Sequence, residues 1–309
     1  MSADDRDATE VSENRSWVSI HSLLTSDPGK GIALIGAPLV RESLTPGRCD
    51  LAPDVVRGAL KRLSVYDLES RTDLSSLRIS DAGDLPIAAR TPAEAFAPLS
   101  KGIRELTRRH ALTIVLGGHN GVTRPGVHGS AASLRTTGVM TLDAHFDLRD
   151  TDGGLNNGNP IQALLEDGMA GAQISQIGIA PFANTKKAHG KATRAGISVR
   201  NLSECFERGF VSIVCEELER LAATSEDIYV DFDIDVIDRA QMPAAPGARA
   251  GGISARDFFA AARVIAAHPK VRCVDLVEFD PAMDVNAIGA LTAARWCGEI
   301  LAGFVRRTA

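Results

Sequence analysis

Short apolar runs rich in β-branched residues recur along the chain, each bounded by Gly, Pro or Asp and separated from the next by a stretch with helical spacing. A strand apolar on every position, not on alternate ones, must be covered on both faces. Runs of that kind separated by helices therefore predict a parallel sheet between two helical layers. The expected strands are Gly31 to Ile35, Leu112 to Leu116, Val139 to Leu142, Ile174 to Ile179, Ile228 to Phe232 and Val271 to Val277. The expected helices are Ala52 to Leu63, Pro92 to Arg109, Pro160 to Glu166, Val211 to Ala223, Ala255 to Ala267 and Asn286 to Arg306. They occupy the intervals that right-handed crossovers require.

No linker breaks this alternation. The Gly- and Pro-rich stretch Met242 to Ile253 follows a strand and leads into a helix, so it is expected as a loop at the sheet edge. The fold class is α/β, a single-domain three-layer α/β/α arrangement with a parallel sheet. Residues 1–15 are expected as a disordered tail and 16–309 as one catalytic domain.

Charge and cysteine content exclude several classes. With 34 Lys and Arg against 39 Asp and Glu, the net charge is -5 and no local basic patch interrupts it, so nucleic acid is not an expected partner. Five cysteines without CxxC spacing argue against a disulfide framework and a thiolate zinc site, and a reducing cytoplasmic location is expected. The polar start is unlike a secretory signal, and no stretch reads as a membrane span.

Chemistry gathers where the expected strands end. The second ends in Gly117-Gly118-His119-Asn120, the third in Asp143-Ala144-His145-Phe146-Asp147-Leu148-Arg149, the fifth in an acidic run from Asp231 to Asp238, and the sixth in Glu278-Phe279-Asp280-Pro281. In open parallel sheets, ligands bind beyond these carboxyl ends. On extended backbone, residues two apart share a side, so Asp143, His145 and Asp147 should converge, as should Asp233 and Asp235. Four carboxylates in one crevice cannot all stay ionised unpaired. Either cations neutralise them or some keep a proton. No Lys or Arg cluster lies nearby in sequence, and carboxylates with one imidazole suit Mn²⁺. Each acidic stretch alone also reads as a solvated turn or helix cap. The later one further lacks the glycine and terminal Glu of an EF-hand loop.

The succession GGHN, DAHFD, DFDIDVID and EFDP resembles the ureohydrolase superfamily of arginase, agmatinase and formimidoylglutamase, and the likeness runs from Ile32–Pro38 and Ala52–Arg57 to the final helix. The resemblance implies an arginase-like fold holding two Mn²⁺ per subunit bridged by a hydroxide nucleophile. It makes Asp143, His145, Asp147, Asp233 and Asp235 metal ligands, gives Glu278 the cationic end of an amidine or guanidine, and leaves Asp238 to hold loop backbone. It also implies a homo-oligomer, trimer or hexamer.

Departures narrow the substrate. Asn120 stands where arginases and agmatinases carry a metal-binding histidine, so either its amide oxygen or a swung-in His119 completes the first metal position. DAHFDLR resembles the formimidoylglutamase branch, and Ile161 replaces an arginase histidine. N-formimidoyl-L-glutamate carries two carboxylates and agmatine none. Arg149 is therefore expected to hold a carboxylate, an ion pair with Asp150 or Asp152 being the lesser alternative, with Asn157 and Asn159 as hydrogen-bond partners, for which turn roles are equally open. The implied function is hydrolysis of N-formimidoyl-L-glutamate to L-glutamate and formamide, a step of histidine degradation, with Asp147 carrying the proton. The alternatives are an agmatine or other guanidino hydrolase releasing urea and, in another class, a metal-poor regulatory relative.

Overall fold

Nine parallel strands form one sheet in the computed structural model, which describes residues 17–26, 29 and 31–308. The expected tail, 1–15, lies outside the described residues. All six expected strands are present: β2 (Ile32–Ala37), β6 (Leu112–Gly117), β7 (Thr137–Leu142), β8 (Ile174–Ile179), β10 (Asp227–Asp233) and β11 (Val271–Val277). To these the structure adds β1 (Leu24–Thr25), β5 (Ile79–Asp84) and β9 (Ser198–Asn201), giving the order β1-β5-β2-β6-β11-β10-β7-β8-β9. A separate antiparallel pair joins β3 (Tyr66–Asp67) to β4 (Thr72–Asp73).

Alternate strand residues feed two apolar clusters, one on each face. Ile114, Leu116, Val230 and Phe232 belong to one, and Val115, Val139 and Tyr229 to the other. The first cluster is capped by α1 (Ala52–Ala59), α6 (Leu202–Arg208), α7 (Phe210–Thr224), α8 (Ala255–Ala267) and α9 (Ile288–Phe304). The second is covered by α2 (Pro92–Thr107), α3 (Thr123–Ser130), α4 (Pro160–Glu166) and α5 (Lys186–Ala195). Three layers result, as the all-apolar strands require.

Helix boundaries follow local chemistry. Thr91 opens α2 with a capping box completed by Glu94. The first helix stops at Ala59, short of the expected Leu63, and continues as a 3₁₀ turn over Leu60–Arg62. The last helix starts two residues late because Asn286 and Ala287 adopt φ of 52° and 59°. With its 3₁₀ continuation it reaches a mean hydropathy of 1.2 over a membrane-spanning length, which the sequence reading did not anticipate. Here that apolarity serves the core: Ala290, Ala293, Trp296 and Ile300 are buried, and Trp296 meets Phe232 edge to face, 5.3 Å between ring centroids.

Candidate metal centre

The strands β6, β11, β10 and β7 are neighbours at the centre of the sheet, so the four motifs that end them meet in one crevice. Asp143 follows β7, and its N–H extends the ladder to Ile177 O (3.0 Å); the chain then bends at Ala144 and His145, and the His145 N–H donates to Asp143 Oδ1 (2.6 Å). The bend brings both side chains to one side. Asp233 closes β10 and its carboxylate accepts from the Asp235 N–H (2.9 Å), which starts a 3₁₀ turn over Ile234–Val236. That turn swings Asp235 towards His145, whose Nδ1 lies 3.0 Å from Asp235 Oδ2 and 3.4 Å from Asp143 Oδ1. One ligand atom from each of the three falls within 4.8 Å of the others.

Asp147 arrives differently from the expected alternation. Its φ of 51° is left-handed, a strained conformation for a residue with a Cβ, and it turns the chain back on itself. The carboxylate then accepts from Asn120 Nδ2 (2.6 Å). Glu278, with φ 63°, is bent into the cleft in the same manner. Its Oε1 accepts from the Asn120 N–H (2.7 Å) and from Asn157 Nδ2 (3.0 Å), with no partner on Oε2 among the described residues.

Burial dominates the electrostatics. It pushes Asp143 up to about 6, helped by the charge of Asp235, and drives Asp147 and Asp233 well above the carboxylate range, with neighbouring acids adding to both. Burial also pushes Glu278 up to about 7. His145 moves the other way: burial opposes its charge, but Asp235 and Asp143 outweigh that and push it up to about 11. Burial likewise works against Asp235, which the His145 charge nevertheless holds below its ordinary value. An imidazolium wedged between carboxylates, beside acids that keep their protons, is the arrangement a cation relieves.

The donors fit a hard divalent ion. They are carboxylate oxygens with one imidazole nitrogen and no thiolate. Gly247 closes over them, and a Cβ there would lie 2.0 Å from Asp235 Oδ2 and 3.1 Å from His145 Cε1. Only a residue without a side chain leaves these ligands in place. Asn184 steadies the loop below by accepting from the Phe146 N–H (2.9 Å) and donating to Ala144 O (2.9 Å).

A second acidic tier lies beneath. Asp231 pairs in register with Asp275 across β10 and β11. Burial raises Asp231 well above the carboxylate range and Asp275 to about 6, where hydrogen bonds from Tyr229, Thr123 and the Phe232 N–H hold it.

Two expected roles are corrected, and a third residue is engaged otherwise. His119 is buried with both ring nitrogens committed, Nε2 donating to Arg41 O (2.8 Å) and Nδ1 accepting from the Gly121 N–H (3.0 Å). Burial lowers its pKa to about 4, and because both ring nitrogens are bonded to backbone it is a structural group, with no nitrogen free to ligate. Asn159 is also buried. It accepts from the Asn156 N–H (2.9 Å) and donates to Gly154 O (2.9 Å) and Asp150 O (3.3 Å), which makes it a loop pin away from the cleft. Asn120 sits where expected, but its amide oxygen accepts from Thr123 Oγ1 (2.5 Å), and the nitrogen faces Asp147.

The cleft above the acids encloses about 580 Å³. Arg149, Asn157, Asp147 and Glu278 line it, as do His145, Asp233 and Asp235. Asn157 also accepts from the Leu44 N–H (2.8 Å), so it braces Glu278 against the loop before α1. Asp238 holds the loop after β10 by accepting from the N–H groups of Ala240 (2.8 Å) and Gly251 (2.6 Å). Asn184 and Gly247 went unrecognised in the sequence, although Gly247 lies within the Gly- and Pro-rich stretch.

Known proteins are similar to this chain in sequence and fold. A formimidoylglutamase of Halalkalibacterium halodurans is 32% identical over 268 residues, 85% of this chain and 84% of its own. The crystal structure of the Bacillus subtilis formimidoylglutamase superposes with a TM-score of 0.89 at 28% identity, covering 94% of this chain and 92% of that one. That of the Trypanosoma cruzi formiminoglutamase with Mn²⁺ gives a TM-score of 0.82 at 26% identity, over 90% and 94% of the two chains. The arginase family model matches residues 30–303, and the chain belongs to the arginase family.

Proposed function

We propose that the chain hydrolyses N-formimidoyl-L-glutamate to L-glutamate and formamide, with Asp143, His145, Asp147, Asp233, Asp235 and Asn120 as the residues that hold two Mn²⁺ ions. One observation carries the choice of substrate: the cleft is acidic at its base, where Glu278 and the aspartates lie, and cationic at its rim, where Arg149 has no carboxylate partner among the described residues. A formimidoyl amino acid has the matching polarity, an amidinium at one end and carboxylates at the other. Agmatine, a dication, would bring a second positive charge to that arginine.

The chain's own groups then divide the work. When bound, the metal pair supplies hydroxide at neutral pH. Glu278, fixed through Oε1 by Asn120 and Asn157, presents Oε2 to the amidinium N–H and holds its carbon over the acids. A substrate cation beside it lowers its pKa and keeps it ionised. Addition of hydroxide to that carbon and rupture of its bond to the glutamate nitrogen give formamide and an amine that needs a proton. Asp147, held by Asn120 Nδ2 and lining the cleft with Glu278, is placed to pass it the proton of the added hydroxyl. Asn120 holds Asp147 through Nδ2, and would reach a cation only if its oxygen gave up Thr123.

The five cysteines are all free, which supports a reducing, cytoplasmic location, and we propose a homotrimer or homohexamer. The activity test incubates Mn²⁺-loaded protein with N-formimidoyl-L-glutamate, agmatine and arginine and identifies the products. Formamide from the first compound supports the proposal. Urea from agmatine or arginine makes the chain a guanidino hydrolase instead, and no product with less than one metal per chain favours the regulatory alternative.

A further inference from the structure

The rim of the cleft carries a second cation that its sequence context does not advertise. Arg249 lies in the Gly- and Pro-rich loop after β10, is exposed, and lines the same cavity as Arg149. The third cation there, Lys187, is already paired with Asp150, which also takes Lys191 (2.8 Å). Arg249 has no such partner among the described residues. Its Nη1 donates to Gly247 O (2.6 Å), which leaves the rest of the guanidinium fork to face the cavity solvent.

The loop beneath it is held still. Arg239 donates through Nη1 to Ala245 O (3.3 Å) and Ala248 O (3.3 Å), and the Arg239 N–H binds Arg249 O (3.0 Å). A guanidinium on a fixed loop, tied at one nitrogen and open on its remaining edge, is preorganised for a carboxylate.

We infer that Arg249 is a specificity-determining residue that binds one of two carboxylates of the substrate while Arg149 binds the other, so that the cleft selects dianionic amidines over monoanionic ones. This rests on the amidine-hydrolase reading, which alone places the amidinium at Glu278. Arg149 and Arg249 line one cavity from separate loops, and neither has a carboxylate partner among the described residues, so a compound with two carboxylates supplies one anion to each.

Two amides separate the contributions. N-Formimidoyl-L-glutamine replaces the side-chain carboxylate by an isosteric neutral group, and N-formimidoyl-L-isoglutamine replaces the α-carboxylate. The wild type should prefer N-formimidoyl-L-glutamate to each by roughly 10- to 100-fold in kcat/KM, the span of a charge-assisted hydrogen bond. Arg249→Gln should abolish the preference against one amide and keep the other, Arg149→Gln should do the reverse, and Arg249→Lys should restore part of what Arg249→Gln loses. Equal losses on all three compounds, no loss on any, or loss of the same preference in both variants would overturn the inference.

Calorimetric binding of L-glutamate, L-glutamine and L-isoglutamine to the Mn²⁺-loaded protein and to both variants gives a second readout that needs no turnover. If none of the formimidoyl compounds is hydrolysed yet L-glutamate binds best and each arginine variant loses selectivity for one carboxylate, the hydrolase reading fails and the carboxylate assignment stands. If L-glutamate binds no better than its amides, the assignment fails whatever the activity. Circular dichroism checks that the variants are folded, as expected for exposed side chains.

Discussion

Removing divalent metal should make this protein lose stability as the pH rises, the reverse of ordinary acid sensitivity. The sign follows from three groups in the cleft, two buried and one half-buried. Asp143 is pushed up to about 6 from 3.8 and Glu278 up to about 7 from 4.5, so between those limits the folded state holds protons that the unfolded chain has released. His145, pushed up to about 11 from 6.5, likewise stays protonated in the fold after the unfolded chain has let go. In each case stability falls with pH between the unfolded and folded values. From pH 5 to pH 8 the windows of Asp143, Glu278 and His145 cover about one, two and one and a half pH units. At about 1.4 kcal/mol per unit this gives a ceiling of about 6 kcal/mol. The three groups share protons through Asp235, so we expect about half, near 3 kcal/mol. At about 2 °C per kcal/mol, Tm in EDTA should drop by about 6 °C between pH 5 and pH 8. Mn²⁺ has the opposite dependence, since its ligands must be deprotonated, and at a thousand times Kd it adds about 4 kcal/mol per site. Differential scanning fluorimetry across pH 5–8, in EDTA and in Mn²⁺, should therefore show two curves that diverge with pH. Parallel curves, or an EDTA curve that is flat or rising, would refute the assignment of these groups as a cation site.

Three substitutions probe other parts of the molecule. Gly247→Ala puts a methyl 2.0 Å from Asp235 Oδ2 and must displace that carboxylate from His145, so Mn²⁺ affinity by calorimetric titration should fall roughly 10- to 100-fold; unchanged affinity would contradict the ligand assignment. Arg149→Ala should raise KM for N-formimidoyl-L-glutamate by about 10-fold or more with a smaller effect on kcat, and an unaltered KM removes Arg149 from the binding site. Trp296→Ala empties a fully buried position against Phe232 and should cost about 3–5 kcal/mol, a Tm drop of about 6–10 °C, while metal stoichiometry is retained.

Central strands were legible because burial on both faces leaves only apolar residues, as in Leu112–Leu116. The strand Ile79–Asp84 was not, since it carries Asp81 and Asp84, both answered by Arg57 at 2.9 and 2.5 Å from a helix more than twenty residues away in sequence. The helix Thr123–Ser130 was hidden by Pro125, Gly126 and Gly129, residues that disfavour helix locally. Packing reverses that preference: a Cβ on Gly126 would lie 2.2 Å from Tyr229 Oη, and one on Gly129 would lie 2.8 Å from Ile103 Cβ. In the site, Asp143 and His145 converge at a bend just past the end of β7, close to where spacing of two in the sequence places them. Asp147 and Asp235 converge through a left-handed residue and a 3₁₀ turn, which it does not. An asparagine beside glycine reads equally as ligand or turn. Asn157 reached the cleft and Asn159 did not, a difference set by which backbone groups lay within reach.

The two departures from the wider family pattern therefore act on opposite ends of one cleft. At the base, Asn120 replaces an imidazole with an amide whose nitrogen braces Asp147 and whose backbone N–H braces Glu278. One residue thus couples the proposed proton carrier to the proposed amidinium anchor, a link an imidazole in contact with metal could not make through the same side chain. At the rim, Arg149 faces a cavity whose floor is acidic, and the resulting gradient orients any molecule with a cation at one end and anions at the other. Chemistry common to amidines and guanidines belongs to the base, so loss of Arg149 should relax the choice of substrate without abolishing the capacity to hydrolyse. Selectivity and reactivity are separable here because they are carried by different loops, the one after β7 reaching outward through Arg149 and inward through Asp147 only two residues earlier. The left-handed turn at Asp147 makes that divergence: without it both side chains would point the same way along an extended strand, and the rim would lose its cation to the metal site.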